Sequence, residues 1–428
     1  MKKCNFTRLL ACALVVFQIF ALTAVFTVGA SAETANSYVF NYTSKVITLD
    51  GTANEDAWND ANAAQNFSFL RTYSTSGLTT QTDYAGSWKG IWSVEDGKAC
   101  LYFVIEIADA TASKGSNEQF IFSVDETNSN SGSDVGNISV ADESTQKFRT
   151  SGQALTATSD DTIINVGPNS NTDHKNRVYY HVNVNQNGDT QTGYTVEGKY
   201  VFSTKHISPD FKMNIILQDT LDSNNNYGRY IWCGTDGNAQ KFPSQFGTCR
   251  LGGAFETLDG VSVRFLEPTG LRFENQINKA YYDALIAGGA TVETGTIILP
   301  TDKIPTDGFT TMDALGTAGT DYLKVVNTNN EWANSATAET DGYYTYYGSI
   351  VGIKEGNYSR KFSGIGYISV TKDGVTTTTY SVYSEEDHSR SIVEIAAGLI
   401  ESNPTKYAKG TTEGDILRGY LPAGHEYK

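Results

Sequence analysis

Trp88 and Trp92 stand four residues apart in a stretch that reads as a strand. On one strand both would point to the same face, roughly 13 Å apart at ~3.3 Å per residue. That spacing makes a platform: a flat aromatic ring stacks on the C–H face of a sugar, while Asp, Asn, Gln and Arg around the rim meet its hydroxyls. Trp232, beside Arg229 and Gly234, is placed like a residue at the mouth of such a site. The plainer reading of Trp92 and Trp232 is buried core, and that of Trp88 is exposed packing under a loop. Trp58 follows a short helical stretch opened by Asn54 and is expected to pack inward.

Other chemistry finds less support. A glycosidase needs two carboxylates about 5 to 10 Å apart across the sugar, and no acidic pair here stands out by its neighbours. A GxSxG elbow is absent, as is HExxH spacing among the five His. Glycoside hydrolysis is therefore the least unlikely activity of a chain read as a non-enzyme. Structural calcium is a candidate, because Asp125-Glu126-Thr127-Asn128 and the run from Asp219 to Asn226 are oxygen-rich. Tyr343, Tyr344, Tyr346 and Tyr347 would face alternate sides of one strand, as core with a half-exposed partner or as a second sugar platform. Cys100, Cys233 and Cys249 remain in the mature chain, so at most one bridge forms, with Cys233 and Cys249 the nearer pair.

The N-terminus is basic (Lys2, Lys3, Arg8), then apolar to about Val28, then Ala30-Ser31-Ala32. That order reads as an export signal over residues 1–32, with the mature chain starting at Glu33. Losing three positive charges takes the formal net charge from −16 to −19. So acidic a chain repels phosphate backbones and anionic lipid heads, which argues against nucleic acid and membrane partners. The composition is poor in charge and crowded with 25 Tyr and 20 Phe. It suits a secreted, β-rich protein whose ligands are neutral and hydroxyl-rich.

The elements that must position these residues fall into two sets, divided near Leu251-Gly252-Gly253. Before it, Leu101, Phe103, Ile105 and Ile107 alternate, as do Phe120, Phe122 and Val124, then Val178, Tyr180 and Val182, then Met213, Ile215 and Leu217. Asp96-Gly97 and Asn187-Gly188 are turn chemistry between them. Short strands with such breaks predict an all-β antiparallel sandwich, jelly-roll-like, over residues 33–256. Residues 257–428 read as a smaller α+β domain. Asn278 to Ala287 is expected to be a helix ended by Gly288-Gly289. A second helix carries Ile392, Ile395, Ala396, Leu399 and Ile400, with Ser384 to Asp387 resembling its capping box.

Five segments of the first half, in order, resemble family 9 carbohydrate-binding modules. Ile47 to Trp58 looks like the opening I-x-x-D-G-x-x-x-E-x-x-W. Trp92, then Leu101 to Val104 and Asp109, resembles the following hairpin. Phe120 to Asp125, Tyr194 to Glu197, and Asp219 with Trp232 complete the set. The resemblance spans about Tyr38 to Phe255. It implies an antiparallel sandwich that binds a polysaccharide or oligosaccharide, often of the plant cell wall, with structural calcium in some members. It also implies that Trp92 and Trp232 flank the sugar. The second half is similar, around Glu267 to Phe273 and Tyr383 to Ile392, to a module at the ends of secreted proteins of Gram-positive anaerobes. That likeness implies no activity and leaves a cell-surface or extracellular protein as its expected partner. An adhesion protein built on an inert sandwich is the rival reading.

Overall fold

A computed structural model describes residues 36–73, 84–109, 119–126, 128, 145–150, 163–165, 177–187, 190–203, 208–220, 226–235 and 243–428 apart from 307 and 310. The expected export signal lies outside the described residues.

Among the described residues, thirteen strands build the first half. They are β1 (Ser37–Tyr42), β2 (Gln65–Asn66), β3 (Ser68–Tyr73), β4 (Ala85–Glu95), β5 (Lys98–Ala108), β6 (Gln119–Asp125) and β7 (Thr145–Thr150). They continue as β8 (Ile163–Asn165), β9 (Val178–Asn187), β10 (Thr190–Val201), β11 (Asp210–Thr220), β12 (Tyr227–Ile231) and β13 (Gly247–Gly252). One layer runs β4-β5-β10-β9 and the other β8-β7-β6-β11-β13, with β12 and β3 added beyond β11. Pairing within both layers is antiparallel. The exception is β1, which lies parallel to β13 through Ser37–Asn41 and then to β4 at Asn41 and Tyr42. It stitches the two layers along one edge, and its Tyr38 hydroxyl donates to the Gly90 carbonyl at 3.1 Å.

The core is the meeting of alternating apolar faces. Phe103 of β5 stacks on Phe122 of β6 at 4.8 Å and 15°. Leu101, Ile105, Val124, Val196, Met213 and Ile215 are all buried with them. The opposite face of β5 is buried too. Tyr102 and Val104 pack under the 3-10 turn Asp56–Asp60, where a short helical stretch was expected. Asp96 and Gly97 both adopt positive φ (49° and 70°), the geometry a two-residue hairpin turn between twisted strands requires.

The second half is two further sheets packed face to face. One holds β14 (Phe255–Arg264), β15 (Gly270–Asn278) and β18 (Tyr343–Val351). The other holds β16 (Thr291–Pro300), β17 (Leu323–Val326), β19 (Phe362–Lys372), β20 (Val375–Tyr380) and β21 (Ser389–Arg390). Helix α1 (Lys279–Ala287) starts where the Asn278 side chain accepts from the Tyr281 N–H, and Gly288 ends it. The long helix α4 (Ile392–Ser402) is capped by Ser391, whose side chain and Glu394 form a reciprocal capping box. Ser384 instead caps only the single turn α3 (Glu385–His388), so the expected cap belongs to a different element. Helix α5 (Thr412–Tyr420) follows.

Sheet membership changes between Gly252 and Phe255. The apolar core does not stop there. Trp92, Ala99, Phe202 and Leu251 of the first half share one cluster with Ile277, Tyr281, Leu285 and Val292 of the second. Polar ties cross the same seam: Arg250 donates to the Tyr380 carbonyl at 2.7 Å, and the Ser208 and Thr379 hydroxyls meet at 3.0 Å.

Candidate functional site

Trp88, Trp92 and Trp232 do not form a platform. Trp92 and Trp88 share a face of β4 as their spacing requires, but that face is the inward one. Both are fully buried and Trp232 is only 3% exposed. Trp88 lies against Tyr38 at 4.6 Å and meets Trp232 edge-on at 4.8 Å and 83°. Trp92 rests on Tyr42 at 4.9 Å, and Tyr281 of α1 comes edge-on to it at 6.0 Å. Its indole N–H donates to the Gly252 carbonyl at 2.9 Å. The end of β4 that would be a mouth in an isolated sandwich is therefore roofed by the second half. The expectation that these rings hold a ligand is corrected: they are core.

The opening motif is also structural. Glu197 of β10, fully buried, accepts from the N–H groups of Asp50 and Gly51, each at 3.0 Å, and from the Trp58 indole at 3.0 Å. Glu55 takes the Thr48 N–H at 2.9 Å. Gly51 sits at φ 81° against Asn183, where a Cβ would be crowded and strained. Asp50, Gly51, Glu55, Trp58 and Glu197 thus lock one loop onto the sheet. Burial raises the Glu197 pKa, and its three donors counter that rise.

In the first calcium candidate, Thr127 lies outside the described residues. The Glu126 carboxylate is buried and receives the Arg177 guanidinium, the Tyr200 hydroxyl and the Ser203 hydroxyl and N–H. A guanidinium already answers its charge. Residues 221–225 of the second candidate lie outside the described residues, which hold no cluster of three His, Cys, Asp or Glu. Cys100 and Cys233 are buried thiols with pKa pushed up to about 12 by desolvation, and Cys249 is raised likewise.

A second aromatic and polar cluster has one exposed ring, Phe69, over Tyr84, Gln218, Arg229 and Tyr230, which are buried. At the end of the sandwich where β3, β12 and β11 meet, Tyr84 and Tyr230 stack at 4.4 Å and 29°. Phe69 stands edge-on to Tyr230 at 5.3 Å and is 38% exposed. Across the neighbouring strands the Arg229 guanidinium donates to the Gln218 side chain at 2.8 Å and lies 5.6 Å from the Tyr227 ring. Backbone register continues this row, with Gln218 opposite Gln119 and Arg229 opposite Arg71. Buried Asp219 and Asn226 adjoin it. A guanidinium and a carboxamide beside aromatic rings supply planar donors, acceptors and a flat apolar surface together. Sequence reasoning noted Arg229 only as a neighbour of Trp232. The cross-strand register that aligns it with Gln218 depends on pairing between distant segments.

Comparison with known proteins gives this architecture a family likeness. Residues 49–254 match the carbohydrate family 9 binding domain-like model. The match closes two residues after β13 ends, and residues 255–428 lie outside it. Similar solved structures include a family 9 carbohydrate binding module from Caldicellulosiruptor kristjanssonii in complex with cellotriose. It is 19% identical, with 50% of this chain and 93% of that one covered and a TM-score of 0.34. Its complex with glucose gives 19% identity, 51% and 96% coverage and a TM-score of 0.35. Comparison with functionally curated proteins finds no match.

Proposed function

We propose that this chain is a non-catalytic carbohydrate-binding protein that works outside the cell and recognises a neutral plant-wall polysaccharide such as a glucan or xylan. The observation that carries the reading is the match of residues 49–254 to a carbohydrate-binding family. The acidic chain and the basic–apolar–small N-terminus support a neutral ligand met after export. Protein recovered from culture medium should begin at Glu33; a membrane-bound chain retaining Met1 would contradict export.

In this reading the exposed Phe69 ring contacts the sugar, Arg229 and Gln218, buried beside it, shape that face, and the buried tryptophans hold the sandwich together. Losing one stacking surface costs about 1 to 3 kcal/mol, by analogy with base–aromatic stacking. At ~1.4 kcal/mol per tenfold this is roughly a five- to 150-fold weaker Kd. Calorimetric titration of Phe69→Ala and Arg229→Ala with soluble cello- and xylo-oligosaccharides should show that loss, with melting temperature unchanged for Phe69→Ala. Full affinity in both variants would remove the site from this end of the sandwich.

One observation favours a second reading. Burial of Trp88, Trp92 and Trp232 is what an inert scaffold would show. A chain of that kind would serve adhesion, with the second half meeting a protein partner. Failure to retain any glycan would select it.

A further inference from the structure

Of the five tryptophans, Trp58, Trp88, Trp92 and Trp232 are at most 4% exposed, whereas Trp332 is only partly buried. It sits in the second half, between the 3-10 turn Thr328–Asn330 and the short helix α2 (Ala338–Asp341). Its indole stacks nearly parallel on Tyr344 of β18, at 4.7 Å and 15°. Tyr282 of α1 stands edge-on to both rings, at 5.2 and 5.4 Å. All three rings are partly exposed.

The segment bearing Trp332 is held rigidly. The Ala333 N–H donates to the Thr345 carbonyl at 2.7 Å, and the Thr345 N–H donates to the Asn334 side chain at 2.8 Å. Asn334 also donates to the Tyr343 carbonyl at 2.8 Å, and Asn330 donates to the Tyr282 hydroxyl at 3.0 Å. Asn329 and Asn330 both adopt positive φ, 58° and 50°. Such conformations cost free energy at non-glycine residues and persist where surrounding contacts fix them. An aromatic surface held this way loses little entropy when a ligand arrives. Polar groups rim it: Asp283 accepts from Tyr344 at 3.4 Å and pairs with Lys279 at 2.6 Å, while Glu331 and Glu339 are exposed.

We infer that Trp332, Tyr344 and Tyr282 form a second binding platform, on the second half of the chain, for the pyranose rings of a neutral glycan. The flat stacked surface suits C–H faces, and the Asp283, Asn330 and Lys279 groups suit hydroxyls. The acidic rim repels uronate-rich chains. This platform lies outside residues 49–254 and stands independently of the site proposed at Phe69 and Arg229.

The test uses the full mature chain with cellohexaose, xylohexaose and polygalacturonate as probes. Trp332 should dominate acrylamide quenching of fluorescence, and a neutral hexaose should protect it. Trp332→Ala should weaken hexaose binding at this platform roughly tenfold or more, with Trp332→Phe recovering most of it. Phe69→Ala should leave the protection of Trp332 intact. Unchanged hexaose binding in Trp332→Ala, absence of protection in the wild type, or preferential binding of polygalacturonate would each overturn the inference. Loss of all binding in Phe69→Ala with none in Trp332→Ala would refute the platform and leave the sandwich site standing. The reverse pattern would refute the sandwich site alone. Tyr344→Phe, which keeps the ring and removes the Asp283 contact, separates a binding defect from a folding one.

Discussion

Trp92 and Trp332 sit in aromatic clusters of similar make-up and have opposite fates. Trp92 lies within β4 of the first half, touches Tyr42 and Tyr281, and has no exposed surface. Trp332 hangs from a pinned loop of the second half, stacks on Tyr344, and keeps part of its ring in water. What separates them is a neighbour. Helix α1 roofs the first, while nothing among the described residues buries the second to the same degree. The exposed surface of a sandwich is set by what packs against it, and a motif read within one half of the chain does not include that partner.

The sharpest way to break this comparison is to remove each indole. Trp92→Ala opens a cavity at the seam and leaves the Gly252 carbonyl without its donor. Large-to-small changes of a buried Trp cost about 3 to 5 kcal/mol. Chemical denaturation of the full chain should therefore show a much lower midpoint for Trp92→Ala than for Trp332→Ala. Equal losses would mean that Trp332 is as structural as Trp92.

A smaller effect concerns pH and sharpens the account of the second half. His388 is buried, and its Nδ1 accepts the Ser384 N–H at 3.1 Å, which requires that nitrogen to be deprotonated. Desolvation lowers its pKa, with Asp387 and Asp259 opposing that change. The unfolded state therefore takes up the proton first as pH falls. Stability contributed by neutral His388 is present above the unfolded histidine pKa of ~6.5 and is lost as pH drops through it. Denaturation midpoints should fall between pH 7.5 and 5.5 in the wild type and change less in His388→Gln. A midpoint that rises on acidification would reverse the sign and reject this assignment.

Much of the fold was legible in the sequence. Alternation placed Leu101, Phe103, Ile105 and Ile107 on one buried face, and the Asp96-Gly97 turn between β4 and β5. Asn278 and Gly288 bounded α1 through capping chemistry that is local in sequence. The four-residue spacing of Trp88 and Trp92 correctly put them on one face, but periodicity cannot tell an inward face from an outward one when the opposite face is also buried. Ile91, Tyr102 and Val104 make it so here. The Arg229–Gln218 pair was illegible because it depends on the register of β11 against β12. Ser391 was passed over for Ser384 because both serines precede acidic residues, and only the structure shows which one opens the long helix.

The central proposal is that the chain binds neutral glycans without using its buried tryptophans. Isothermal titration of the full mature chain with cellohexaose and xylohexaose, alongside a conservative Trp92→Phe variant, addresses it directly. The account predicts saturable binding of at least one hexaose by the wild type, with Kd in Trp92→Phe within about twofold, a difference of ~0.4 kcal/mol. No heat with either sugar, or binding that disappears in a well-folded Trp92→Phe variant, would contradict it.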